Sequence, residues 1–481
     1  MTRQPERFDH VLVGTGQATG TLVAGLGDDA SIAVIEGGAI GGTCVNAGCT
    51  PTKTLVASAR VAHLARHAGA HGVATGAVGV DFAAAMARMN EVRHASRDGL
   101  TDFLTRAPNV TLLRGWARFT GPRTLRVGDR VVRGERVVLN VGARAAKPPI
   151  AGLDDVPWLD NARILDLDAL PAHLVIVGGG YVALELGQVF RRFGSRVTVI
   201  EAGDRFLARE DVDVAAEVRT ILEREGVTIL VGAVVDAVAP AGDGAAAGRA
   251  GVGPGETAVG GSGRGVRVTL ADGRAIDGSH LLVAAGRRPN TDGLGLAAAG
   301  VDTDERGYVV VDGATRTSAE GVYALGDVNG RGAFTHTSVH DAQVLLDHLR
   351  GAEHPRTIDE RPTVYAVFTD PPLGRVGMTE DQARASGRRV LRATKPMRSI
   401  SRAKEMGETQ GFVKVLVDAD DDRLLGASVL GVRGDEVVNL FALAMSAGLT
   451  TAQFRRAVLV HPTVGELMPW VLAGLRPLDE A

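Results

Sequence analysis

The sequence predicts an α/β protein made of two βαβ-built domains and a smaller α+β unit towards the C-terminus. Three observations lead there. A strand–glycine turn–helix–strand pattern occurs twice, the pattern changes beyond about Glu353, and 481 residues are too many for one core.

The first copy is "HVLVGTGQATGTLVAGLGDDASIAVIEGG", His10 to Gly38. An apolar strand enters Gly14-x-Gly16, an Ala/Leu/Val helix follows, and a second strand ends at Glu36. The second copy, "HLVIVGGGYVALELGQVFRRFGSRVTVIEAG" from His173 to Gly203, repeats this with Gly178-x-Gly180 and Glu201. Such units bind dinucleotides: glycines let the backbone approach a pyrophosphate, and the helix N-terminus offers N–H groups and a positive dipole end. The carboxylate at the end of the second strand accepts hydrogen bonds from a ribose diol. One GxG is weak evidence, but two copies in the same context make two Rossmann-like dinucleotide-binding domains. The first copy departs from G-x-G-x-x-G by placing Thr19 at the third position, and the second ends on Ala183.

These units set expected boundaries. Residues 1–150 begin the first domain, 151–285 form the second, 286–352 return to the first, and 353–481 form the C-terminal unit. Within the second domain, residues 240–265 are low in complexity and lie between two strand-like runs, "TILVGAVVDAVA" and "GVRVTLADG". They read as a long hairpin loop. Beyond Glu353, "PTVYAVFTDPPLGRVGMTE", "GFVKVLVDADDDRLLGASVLG" and "EVVNLFALAMSAGL" carry strand and helix patterns without a glycine phosphate loop.

Composition narrows the function. Hydrophobic residues make up 45% and charged residues 23%, and the net charge is −3 without a basic block. This argues against nucleic acid or an anionic membrane surface as partner. The opening "MTRQPERFDHVLVG" has no apolar h-region, and no segment reaches a membrane-spanning length, so a cytoplasmic location is expected.

Cys44 and Cys49, in "GGTCVNAGCTPTK", are the chain's two cysteines. A structural disulfide does not suit a reducing compartment. Zinc would need two further N or S ligands, and no metal site is expected. A redox-active dithiol is the third reading. On a regular helix residues five apart diverge by about 140°. A bond between the two therefore calls for irregular backbone near Cys44, which Gly41 and Gly42 allow. Pro51 suits the first turn of a following helix, whose N-terminus favours thiolate chemistry.

"GGTCVNAGCTPTK" resembles the redox-disulfide signature of the class I pyridine nucleotide–disulfide oxidoreductases, which include glutathione, mycothione and mercuric reductases and dihydrolipoamide dehydrogenase. Further motifs follow in family order: the fingerprint at Gly14, Gly16 and Glu36, "GGGYVALE", "GRRPNT" from Gly286, "GVYALGDV", and "HPTVGE". The resemblance spans nearly the whole chain. It implies FAD at the first fingerprint, with Gly42, Thr43, Lys53, Gly286 and Asp327 joining the cofactor site. It implies a nicotinamide nucleotide at the second, with Tyr181 as a gating residue.

The resemblance also implies catalytic roles. Lys53 and Glu185 would pair beside the flavin. Cys49 would be the flavin-proximal thiolate and Cys44 the thiol that attacks substrate. His461, oriented by Glu466, would act as acid/base from the partner subunit of a homodimer, its peptide to Pro462 cis. His336 is expected to be flavin-adjacent structure.

Glu201 favours NADH over NADPH, because a carboxylate repels a 2′-phosphate; Arg205 and Arg209 lie nearby in sequence. Reduction of a small disulfide is the leading expectation. Alternatives are a Cu(II) or Hg(II) reductase, a dihydrolipoamide dehydrogenase, and a thiol-independent quinone reductase or diaphorase. Mercuric reductases use an additional C-terminal cysteine pair, which "LAGLRPLDEA" does not supply.

Overall fold

The computed structural model describes residues 4–241 and 265–480. Apolar strand segments such as Val11–Val13, Ile32–Ile35 and Val137–Leu139 are buried, as parallel strands covered on both faces require. They form one sheet in the order Val110–Arg114, Ile32–Glu36, Glu6–Val13, Arg130–Leu139, Thr124–Val127, Ala117–Gly121, with Val322–Ala324 also paired to Arg130–Leu139. The pairings around Glu6–Val13 are parallel and the last two hairpin strands antiparallel.

The second copy builds an all-parallel sheet in the order Val227–Leu230, Arg196–Ile200, His173–Val177, His280–Val283, Trp158–Leu159. Both copies therefore take the predicted Rossmann-like form. Beside the second sheet, Val235–Pro240 pairs antiparallel with Val266–Leu270, with Pro240 opposite Val266. Residues 242–264, nearly all of the low-complexity loop, lie outside the described residues.

The C-terminal segment is an antiparallel six-stranded sheet with helices, as an α+β unit should be. Its core joins Val413, Val415 and Val429 of the sheet to Val438 and Phe441 of helix Gly434–Ser446 and to Met397 and Met468. No helix among the described residues is long and apolar enough to cross a membrane.

The chain divides into two units. One holds the residues up to Thr54, Met86–Lys147 and Gly286–Arg361; the other holds Leu55–Ala85, Pro148–Ala285 and the chain from Pro362. Leu55–Ala85 groups with the second unit through specific contacts. Phe82 packs on Phe190 and Phe193, and Arg60 pairs with Asp370 and Glu408.

Candidate active site

The site in the first unit starts at the glycine turn after strand Glu6–Val13. Gly14 has φ +96°, and a Cβ there would overlap the carbonyl oxygen of Asn140. Only glycine fits such a position. Thr19, at the fingerprint's third position, is fully buried. Its hydroxyl donates to the Gly14 carbonyl at 2.8 Å and accepts from the Asn140 side chain at 2.9 Å. The departure from glycine therefore braces the turn.

Glu36 closes this turn. Its carboxylate accepts from the Thr15 N–H at 2.9 Å, the Thr15 hydroxyl at 2.6 Å and the Gly38 N–H at 2.7 Å. The Thr15 hydroxyl in turn accepts from the Gly41 N–H at 3.0 Å, tying the cysteine segment to the turn. Gly42 sits so close that a Cβ on it would stand 3.1 Å from the Gly16 Cα.

Cys44 lies inside a short helix, Gly42–Ala47, and Cys49 begins the long helix Cys49–Arg66. The irregular backbone falls at Gly48 between the cysteines (φ −142°, ψ −115°) rather than just before Cys44. Gly41 and Gly42, at φ +103° and +60°, turn the chain into the first helix. A Cβ on Gly48 would stand 3.0 Å from the Thr43 carbonyl oxygen. The structure holds both cysteines as thiols.

Their electrostatics are unequal. The Cys44 thiol is pushed well above the ordinary range, first by its hydrogen bond to Cys49, then by burial and by repulsion from Cys49; Thr335 and Lys53 oppose this. The Thr335 hydroxyl lies 3.4 Å from the Cys49 sulfur, at the start of helix Thr335–Arg350. Lys53 sits one turn after Cys49 on the same helix. Cys49 opens its helix, so its sulfur stands at the helix's positive end.

Asp327 stands in the short helical turn Gly326–Asn329. Burial raises its pKa, and Arg287, 3.0 Å away, opposes the rise. Asp341 anchors this turn, accepting from the Gly326 N–H at 2.8 Å and the Asn329 side chain at 3.0 Å, with Arg361 paired to it. Arg287 also donates to the Ala143 carbonyl at 2.6 Å, while its Nε is buried without a hydrogen-bond partner. His336 stacks on Phe334 at 5.6 Å. The glycine cradle, the diol-ready carboxylate and the orphan guanidinium nitrogen all suit a dinucleotide.

The second unit carries the other expected residues. Gly178 has φ +104°, and a Cβ there would overlap the Ala284 carbonyl oxygen. Glu201 accepts from the Gly179 N–H at 2.6 Å and the Gly203 N–H at 2.7 Å. Gly180 precedes helix Tyr181–Phe193, whose first residue is Tyr181. Glu185, on that helix, is 2% exposed, and its carboxylate accepts the Phe368 N–H at 2.8 Å. His461 is exposed and its Nδ1 lies 2.8 Å from Glu466; the His461–Pro462 peptide is cis.

Several contributors escaped the sequence reading. Thr335 stands in "FTHTSVHD", the stretch around His336, and Arg287 in "GRRPNT", where a hydroxyl and a charge beside special residues were the available signal. Asp341 ends the same stretch as Thr335, its carboxylate being the available signal, whereas Asn140 had none, because its role depends on strand pairing. Among the described residues, Asp211, Asp213 and Glu380 are close enough to hold a cation. The Lys414 ammonium already stands among them, 2.5 Å from Asp213 and 2.6 Å from Glu380.

Two dinucleotide turns and a cysteine pair beside the first define a flavoprotein disulfide reductase, an NAD(P)H-dependent oxidoreductase. The chain belongs to the pyridine nucleotide-disulphide oxidoreductase family: that family's model matches residues 8–342 and its dimerisation domain residues 363–472. The family binds FAD and uses NAD(P)H. The chain is 37% identical over 470 residues to the probable pyridine nucleotide-disulfide oxidoreductase RclA of Escherichia coli K12, covering 96% of this chain and 97% of that protein. It is 29% identical over 463 residues to a mercuric reductase of Lysinibacillus sphaericus, covering 96% and 81% respectively. Its fold matches the Cu(II) complex of the HOCl-induced flavoprotein disulfide reductase RclA from E. coli, with TM-score 0.85, 35% identity, and 97% and 99% coverage.

Proposed function

We propose that the protein reduces a small disulfide through a Cys44–Cys49 redox pair, as a homodimer with FAD and a nicotinamide nucleotide. The adjacent cysteines carry this reading: Cys44 and Cys49 are thiols hydrogen-bonded to each other, the proximity that disulfide exchange needs. Bound FAD supplies the two-electron relay between nicotinamide and sulfur.

The chain's own residues then act in order. Loss of the Cys44 proton to His461 of the partner subunit makes a thiolate, which attacks one substrate sulfur. The substrate S–S bond breaks, a mixed disulfide forms on Cys44, and the leaving thiolate takes the proton back from His461 of the partner subunit. The Cys49 thiolate displaces the second substrate thiolate, which takes a proton from solvent, and the Cys44–Cys49 disulfide closes. Glu466 holds His461 in the orientation and tautomer that permit proton transfer. Exposed Leu443, Val458, Val460 and Trp470, on the segment matching the dimerisation domain, supply an apolar face for the second copy.

Nucleotide choice follows from Glu201. Its carboxylate faces the turn, and Arg205 is engaged by the Ala208 carbonyl and by Asp381. NADH is therefore the preferred donor. A kcat/KM much higher with NADPH refutes this.

A second reading has its own support, since the RclA of similar fold was solved as a Cu(II) complex. Cu(II) would be a substrate reduced at the same sulfur pair. With two cysteines in all, the chain offers no second thiol pair to deliver Hg(II). A panel of oxidised small thiols, lipoamide, Cu(II) and Hg(II), followed by nucleotide oxidation, decides among these. Turnover of a small disulfide, abolished in C44S, supports the first reading. Turnover with none of the disulfides refutes it, and quinone reduction that survives C44S as the only activity makes the protein a diaphorase.

A further inference from the structure

Trp116 is 80% exposed, on the segment that follows strand Val110–Arg114. Its indole lies across the backbone of Gly37: a Cβ on Gly37 would stand 2.5 Å from the ring. Gly37 follows Glu36, the carboxylate at the end of the first dinucleotide turn, and the Glu36 carbonyl accepts the Gly115 N–H at 2.9 Å. Arg114 donates to the Gly38 carbonyl at 2.5 Å. The indole and the ribose-binding carboxylate are therefore held on one rim, at the end of the sheet where the turn opens.

In a dinucleotide the adenine is bonded to the same ribose whose diol meets such a carboxylate. An aromatic plane one residue away is thus within stacking reach of the base, and every base offers a π-face. The second copy has Ala202 at the position of Gly37 and no aromatic residue in "EAGDR" or "LVGAV" around its carboxylate. The indole is a property of the first turn alone.

We propose that Trp116 stacks on the adenine of FAD and closes the adenosine end of that site, with Gly37 glycine so that the indole can lie flat there. This rests on the assignment of FAD to the first turn. It makes Trp116 a binding residue for the cofactor, remote from the sulfur chemistry.

The test uses full-length protein stripped of flavin and titrated with FAD or with FMN, which has no adenine, in wild type, W116A and W116F. The expected result is FAD affinity weakened roughly tenfold to a hundredfold in W116A, nearly restored in W116F, with FMN affinity unchanged. The tryptophan quenching that accompanies FAD binding should fall in both variants, since Trp158 and Trp470 alone remain. Unchanged FAD affinity in W116A overturns the proposal, and so does an equal loss for FAD and FMN, which marks a merely structural role. Wild-type protein that takes up no FAD overturns the cofactor assignment along with it.

Discussion

In the first βαβ copy the chain leaves Glu36, passes through the cysteine segment and two long helices, Cys49–Arg66 and Phe82–Arg106, and rejoins the sheet at Val110. In the second it leaves Glu201, forms helix Val212–Arg224 and rejoins at Val227. The turns themselves nearly superimpose in logic. Gly14 and Gly178 both have φ near +100° and both lie against a carbonyl oxygen of a neighbouring strand end. Glu36 and Glu201 both accept an N–H from the turn and another two residues on. The difference teaches that one turn geometry serves both copies, while the connection after it sets them apart. One connection carries thiols; the other carries none.

The largest expected effect breaks the sulfur side alone. C44S should lower disulfide reduction by at least ~10³-fold while nucleotide-driven dye reduction persists, measured in parallel assays. Next come the two glycines. G14A should be purified with depleted flavin, whereas G178A should keep its flavin and raise the KM for NADH about tenfold or more, since a left-handed alanine is strained and overlaps a carbonyl. Equal behaviour of the two variants would erase the distinction between the copies.

The first strand of each copy also carries a buried histidine, His10 or His173. Burial and a nearby arginine, Arg136 or Arg196, lower both His10 and His173 from 6.5 to about 4. The unfolded chain takes up these protons as pH falls below about 6.5, while the folded protein resists them until about 4. Stability present above pH 6.5 is therefore lost on acidification, by up to about 3 kcal/mol per histidine. Urea unfolding at pH 7 and pH 5 should show this, with a smaller difference in H173Q. His173 has partners in Thr198 and Asp277, whereas the His10 Nδ1 is buried without one, so H10Q should be the better tolerated at pH 7.

The Glu201 carboxylate of the second copy gives a smaller change. E201Q should narrow the preference for NADH over NADPH by about tenfold, read as a ratio of kcat/KM values. The smallest effect sharpens the contrast at the third fingerprint position. T19A should cost about 1–2 kcal/mol, because the Asn140 amide loses its buried acceptor, while the second copy already has Ala183 there. Reciprocal A183T would bury a hydroxyl and should destabilise rather than help.

Much of the architecture was legible in sequence because it rests on short-range rules. Apolar strands running into glycine turns announce Rossmann-like domains, and the change of pattern after Glu353 announces an α+β unit. The cysteine segment was legible as well, except that the break between its helices falls at Gly48, since helix Gly42–Ala47 is already regular at Cys44. Arg192, which reads as an ordinary charge on an amphipathic helix, is buried between Glu225 and Asp370. A sequence gives no sign of that, because the partners are far apart in the chain.

By itself, then, the sequence determined the two glycine turns, their terminal carboxylates, the placement of Cys44 and Cys49 in one short segment and the nearness of His461 to Glu466. Each is encoded in residues close enough for local geometry to place them. Only the tertiary structure decided that burial and Cys49 push the Cys44 thiol up, that Thr335 stands beside the Cys49 sulfur, that Asn140 and Thr19 brace the first turn, and that Trp116 lies over Gly37. Those outcomes depend on burial and on contacts between segments far apart in the chain, which only packing brings together.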